Sequence, residues 1–176
     1  MENLQRLTRN LDATEIDFRV GTVIVKQKAW ATILAYKDAR VDMKILDDAV
    51  GVGGWQIKYR EEKECIVASI GVKIDGEWVW KEGNGVNTDF EAVKGGYSDA
   101  QKRAGFQWGI GRSLYNFPRI FVELKDGEYD ANTKKATAKL RPKDWAWAIK
   151  YEGDEVILLI ATDAKTGEVR FKYQKP

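Results

Sequence analysis

Between Gly54 and Val86 the chain carries three runs, GWQIKY, ECIVASIGVKI and EWVWKEGNG, dense in β-branched and aromatic residues and separated by REEK and by Asp75-Gly76. Such residues suit a pleated, half-buried surface. Asp-Gly between two such runs is a strong signal for a tight hairpin. The stretch predicts a three-stranded antiparallel meander.

Upstream, residues 3 to 10 place Leu4 and Leu7, with Leu11 beyond, at helical spacing and predict a short amphipathic helix, after which IDFRVGTVIV and WATILAY read as sheet. In ARVDMKILDDAVG, Val41, Ile45, Leu46 and Ala49 gather on one side, so this is a helix lying on something, with Gly51 as its C-cap. Two capping boxes follow, Thr88-x-x-Glu91 and Ser98-x-x-Gln101. The first opens a short turn that Gly95-Gly96 interrupts, and the second opens a helix that Pro118 closes. Beyond it come IFVEL, the polar DGEYDANTKK, and then DWAWAIKY, EVILLIA and EVRFKY around two glycine-bearing turns, which predict a small C-terminal β meander. The class is α+β: an antiparallel sheet backed by a long helix in a β-α-βββ-α core. The expected division is a core over 1–124, a linker over 125–143 and a small β extension over 144–176 packing on the core.

The helix over YSDAQKRAGFQWGIGRSLY contains Gly105, Gly109 and Gly111, each costing about 1 kcal/mol relative to alanine in a helix interior. On a helical projection Tyr97, Ala100, Ala104, Trp108, Gly111 and Tyr115 share one face, predicted to be core. Lys102, Phe106, Gly109 and Ser113 lie opposite, with Arg103 and Arg112 on the borders. Glycine away from the core fits where another backbone, a neighbouring subunit or a phosphate chain approaches. This second face is therefore expected to be covered by a partner; the plainer alternative is a solvated Lys-Arg pair with incidental glycines.

Composition narrows the chemistry. The 176 residues include no histidine, which removes the commonest general base, the usual catalytic triads and imidazole-based zinc sites. Cys65 is the single cysteine, so no internal disulfide forms, and its place in CIVASIGV predicts a buried, inert thiol and a reducing compartment. No apolar run approaches the ~18 residues of a membrane span, and a cytoplasmic location is expected, in a bacterial host if the chain is phage-encoded. With a net charge of only +2, an anionic partner must be met by a local basic surface. The seven tryptophans serve core packing first, with base stacking or subunit contact as further uses.

The string SDAQKRAGFQWGIGRSLY, preceded by ARVDMKILDDAVGVGGWQIKY and GEWVWKEGNGV, resembles the single-strand annealing proteins of the Rad fifty-two family, most closely their short bacteriophage Sak-type branch. The resemblance runs from about Leu4 to Glu123 and rests on the ordered set of motifs rather than on any one of them. It implies a protomer that joins its neighbours edge to edge into a ring, with single-stranded DNA in an outer basic groove. By the family pattern Arg40, Lys102 and Arg103 hold the phosphate backbone, and Lys94 falls at a commonly basic position. A second, outer contact uses a hairpin lysine in eukaryotic members; here Ile74 aligns with it and Lys73 stands beside it. Arg112, bordering the same helix, completes the candidate set. The implied activity is ATP-independent binding and annealing of single strands in recombination and double-strand break repair, without catalysis or cofactor. The alternative is end-binding and protection without annealing. Expected partners are single-stranded DNA and further copies of the chain, with a host or phage single-strand-binding protein left open and no membrane.

Charge chemistry agrees, since annealing needs cations against phosphates and no tight pocket around base edges. A G-x-x-x-x-G-K-[ST] phosphate loop is absent: Gly51, Gly53 and Gly54 precede a strand and lack the lysine. A nuclease reading of Asp42-x-Lys44 and Glu61-Glu62-Lys63 as magnesium-holding clusters ranks below ordinary solvated charge at a helix start and in a hairpin loop.

Overall fold

The computed structural model describes residues 2–63, 65–86 and 92–176, without the side chains of residues 2, 3, 86 and 92–94. In chain order the elements begin with α1 (Glu2–Gln5), β1 (Asp17–Val25), β2 (Ala29–Tyr36), α2 (Ala39–Val50), β3 (Trp55–Glu62), β4 (Cys65–Ile74), β5 (Glu77–Val86) and α3 (Ala92–Gln107). They continue with β6 (Ile120–Glu123), β7 (Tyr129–Asp130), β8 (Lys135–Ala136), β9 (Trp145–Glu152), β10 (Glu155–Asp163) and β11 (Val169–Gln174). The class is α+β. Contacts gather these elements into two units, residues 1–10 with 37–112 and residues 11–36 with 113–176.

In the first unit β3, β4 and β5 form the predicted meander, with Trp55 opposite Val72 and Ile74 opposite Glu77. Asp75 and Gly76 both take positive φ, 51° and 92°, as a two-residue hairpin turn of matching twist demands. The pleat puts Ile57, Ile66, Ala68, Ile70, Val72, Gly83 and Gly85 on one face. Helix α3 lies directly on it: a Cβ added to Gly83 would stand 2.2 Å from the Ala104 nitrogen, and one on Gly85 2.5 Å from the Gly96 oxygen. Glycine is required there by the approach of helix backbone to strand backbone. Ala100 and Ala104 are fully buried in the same contact, and Trp108 Nε1 donates to the Ile70 carbonyl at 3.0 Å.

Helix α2 has the expected bounds. Asp38 caps its start by accepting from the Arg40 N–H at 2.8 Å, and Gly51, φ 74°, ends it with an N–H to the Asp47 carbonyl. Ile45, Leu46 and Ala49 are buried as predicted, and Val41 is half-buried.

Helix α3 departs from expectation at both ends. The box at Thr88 to Glu91 lies outside the described residues, but the helix is already formed at Ala92 and passes through Gly95-Gly96 and Ser98 unbroken. Ser98 therefore caps nothing. At the other end the helix stops at Gln107, short of Pro118. The Ile110 N–H bonds the Gly105 carbonyl and the Gly109 N–H bonds that of Phe106, a Schellman ending with Gly109 in the left-handed position at φ 97°. Gly109 and Gly111, φ 72°, thus lie outside the helix and carry no helical penalty. Of the three glycines singled out, only Gly105 is helical.

In the second unit β1, β2 and β6 pair antiparallel, as do β9, β10 and β11, the C-terminal meander, while β7 and β8 make a small hairpin. Phe18 of β1 stacks on Trp147 of β9 with centroids 3.6 Å apart. Arg170 of β11 forks onto Glu128 at 2.7 and 2.8 Å with its side chain 3% exposed, and its guanidinium lies over Trp145.

Candidate nucleic-acid interface

All six candidate cations belong to the first unit. The first turn of α2 sets Arg40 beside its own cap. Arg40 Nε donates to Asp38 Oδ1 at 2.8 Å and Nη2 to Oδ2 at 3.3 Å, in a pair whose arginine is 86% exposed. Those bonds hold the Asp38 carboxyl below its usual range, and the nearby charge of Lys102 adds to the effect. The charges of Arg40 and Lys102 are thus both felt at Asp38.

Gln101 explains how α3 delivers Lys102 there. Its Nε2 donates to the Ala39 carbonyl at 3.1 Å and its Oε1 accepts from the Tyr59 hydroxyl at 3.0 Å, tying α3 to α2 and to β3. Beneath this surface Lys37 pairs with Asp42, and both are buried. Burial pushes the Asp42 carboxyl up to about 6 against the pull of Lys37, and burial likewise lowers the Lys37 amine. Asp42 Oδ2 has no hydrogen-bond partner; it faces Gly105, where a Cβ would come within 2.6 Å of it. A Cβ on Gly109 would meet the Thr8 methyl at 2.6 Å. Gly109, expected to face a partner, is thus covered by the chain's own N-terminal segment, and Gly105 by α2. Asp42 is not a solvated helix-start charge, and Lys44 turns away to Asp48 at 2.6 Å. Among the described residues no group of three or more cysteine or carboxylate side chains is placed to hold a metal ion.

The remaining candidates are more dispersed. Arg103, 59% exposed, pairs with Asp99 one turn back at 2.9 Å and stands beside Gly83 of β5. Arg112 sits past the end of α3, its Nε and Nη2 donating to the carbonyls of Phe106 and Gln107 at 3.0 Å each. Lys81 reaches the Gln107 carbonyl as well, at 3.0 Å, across the Trp108 ring. Two cations therefore satisfy the carbonyls of the last turn. Lys73 is exposed on β4, and its register with Trp78 puts it on the sheet face opposite α3. That face also carries Trp80, which lies over Gly71 and under the Lys58 amine, 4.2 Å from the ring centroid. The side chain of Lys94 lies outside the described residues. Cys65, expected to be buried, is half-buried, with its thiol donating to the Glu62 carbonyl at 3.1 Å.

Arg40 at the start of α2, and Lys102 and Arg103 on α3, the helix that backs the antiparallel meander, are the cations that the motifs singled out. Residues 2–133 match the Rad52/22 family of double-strand break repair proteins. The chain belongs to that family. It is also 30% identical over 126 residues to the single-stranded DNA-binding protein DdrA of Deinococcus deserti, a match covering 70% of this chain and 62% of the relative's length. Among the described residues no helix is long and apolar enough to cross a membrane.

Sequence reasoning missed Lys37, Asp38, Gln101 and Lys81. Asp38 was findable, since aspartate directly before an apolar-periodic run is a cap signal. The others depend on which helices meet.

Proposed function

We propose that the protein binds single-stranded DNA by its phosphates and brings complementary strands together without nucleotide hydrolysis, in recombination and double-strand break repair. Arg40 and Lys102 form the centre of the contact and Arg103 extends it along α3; Lys94 and Lys73 are further contacts, and Arg112 contributes while capping the helix. The observation that carries this reading is the exposed Arg40 paired with Asp38 at the start of α2, a carboxylate that also feels the charge of Lys102, in a chain of this family.

Affinity of this kind is sequence-independent and salt-dependent, because each phosphate neutralised on a single strand contributes about −0.7 to the slope of log K against log salt. One such contact per subunit is weak. A ring of subunits places many in series and converts weak sites into strong avidity; β3 and β5, the outer strands of their sheet, offer edges for joining. Base pairing supplies the driving force, so no catalytic group is required.

Lys102→Ala and Arg103→Ala are expected to weaken binding equally for all sequences and to flatten the salt slope. Undiminished affinity at low salt would remove these residues from the contact. Light scattering at micromolar concentration is expected to give a multiple of 20.0 kDa; a monomer mass would end the ring. The relative's description as a binding protein favours a second reading, coating and protection of single-stranded ends. Mixing complementary labelled oligonucleotides separates the two: pairing accelerated by the protein supports annealing, and binding without acceleration supports protection.

A further inference from the structure

Arg40 and Arg103 of the proposed contact do not wait as bare cations. Arg40 is held by Asp38 through two guanidinium bonds, and Arg103 by Asp99 through one. Both carboxylates are surface groups, 42% and 40% exposed, open to exchange with an anion from solution. A carboxylate presents to guanidinium the same pair of oxygens, in the same plane, that a phosphate does. The charge of Lys102 is felt at Asp38 as well.

We infer that Asp38 and Asp99 are phosphate placeholders: they hold the guanidiniums of Arg40 and Arg103 in the free protein and are displaced by the backbone of the incoming strand. Binding is then an exchange of one anion for another rather than the filling of an open cation site. At Arg40 the resident carboxylate offsets part of the attraction for a phosphate. The same holds for Arg103. The guanidiniums stay oriented between encounters, and the strand is kept loose enough to slide and to be given up once paired. Affinity is thereby set low by design, at residues that never touch a base.

This inference rests on the phosphate-binding reading above, and its test separates the two. Asp38→Asn is a clean probe because asparagine caps a helix as well as aspartate does, and Asp99→Asn is independent of any cap. Glu152→Gln, an exposed site in the second unit, supplies the same change in net charge elsewhere. Each full-length variant is titrated with a labelled oligothymidylate by fluorescence anisotropy across a salt series, with circular dichroism as the check on folding. Asp38→Asn and Asp99→Asn are each expected to bind about two- to fivefold more tightly per site at low salt, the range of an exposed ion pair. The salt slope is expected to steepen by up to about 0.7 for Asp38→Asn, with Glu152→Gln at the wild-type value. Folded Asp38→Asn and Asp99→Asn proteins that bind no better than Glu152→Gln would overturn the placeholder role. If Lys102→Ala weakens binding while both asparagine variants are neutral, the phosphate contact stands and this inference alone fails. A wild-type protein that binds no oligothymidylate overturns both.

Discussion

Gly105→Ala tests the interior of the site by the sign of its effect. In an ordinary helix interior the change stabilises by about 1 kcal/mol. Here the new methyl would meet Asp42 Oδ2 at 2.6 Å and Cγ at 3.1 Å. Asp42 has nowhere to retreat, being 0% exposed with its other oxygen bound to Lys37. Moving the carboxylate breaks the pair and leaves a buried charge uncompensated, at about 3–5 kcal/mol. The propensity gain recovers about 1, so Gly105→Ala is expected to destabilise by about 2–4 kcal/mol. In a Lys37→Met/Asp42→Ala background the obstructing atoms are gone, and the same substitution is expected to stabilise by up to about 1 kcal/mol. Urea unfolding followed by tryptophan fluorescence, run on all four proteins, measures the coupling as a shift in midpoint. A Gly105→Ala protein more stable than wild type would refute the reasoning, as would an unchanged sign in the neutral background.

Gly83→Ala is expected to cost about 3 kcal/mol or more, because its methyl would meet the backbone of Ala104 and Arg103 at 2.2 and 2.5 Å, where nothing can rotate aside; a midpoint within experimental error of wild type would contradict the packing. Arg170→Ala strands the buried Glu128 and is expected to cost about 3–5 kcal/mol, whereas Lys125→Ala, which breaks the exposed pair with Glu168, should cost under about 1; equal losses in urea unfolding would count against the distinction. Asp42 should titrate near pH 6 by carboxyl carbon-13 NMR. Its folded pKa lies above the unfolded value, so its stabilising contribution is full below about pH 4 and is lost as pH rises through 6. Wild type should therefore gain stability relative to Asp42→Asn on acidification from pH 7 to 4, and a flat difference would refute the assignment.

What could be read from the chain before folding was whatever is decided within a few residues. The β3–β5 meander followed from alternation and from Asp75-Gly76, whose turn chemistry is local. The bounds of α2 followed in the same way from its apolar stripe and Gly51. The helical projection of α3 runs too far because the apolar period persists through Trp108, whereas the Schellman bonds at Gly109 and Ile110 end the helix at Gln107. Arg40 and Lys102 come from motif alone, and the charges of both are felt at Asp38. That Gly105 faces Asp42, and that Asp42 is buried against Lys37, depends on how two helices cross, which no spacing along one of them encodes.

The glycines of β5 bring the rod carrying Lys102 and Arg103 into main-chain contact with the strand beneath it. Between most helices and sheets a layer of side chains acts as an adjustable shim, and evolution alters the gap by trading one residue size for another. At Gly83 and Gly85 that shim is missing. The height of the ridge carrying Lys102 and Arg103 is set there by the polypeptide itself, leaving variants of this chain to alter the charges they display and not where those charges stand.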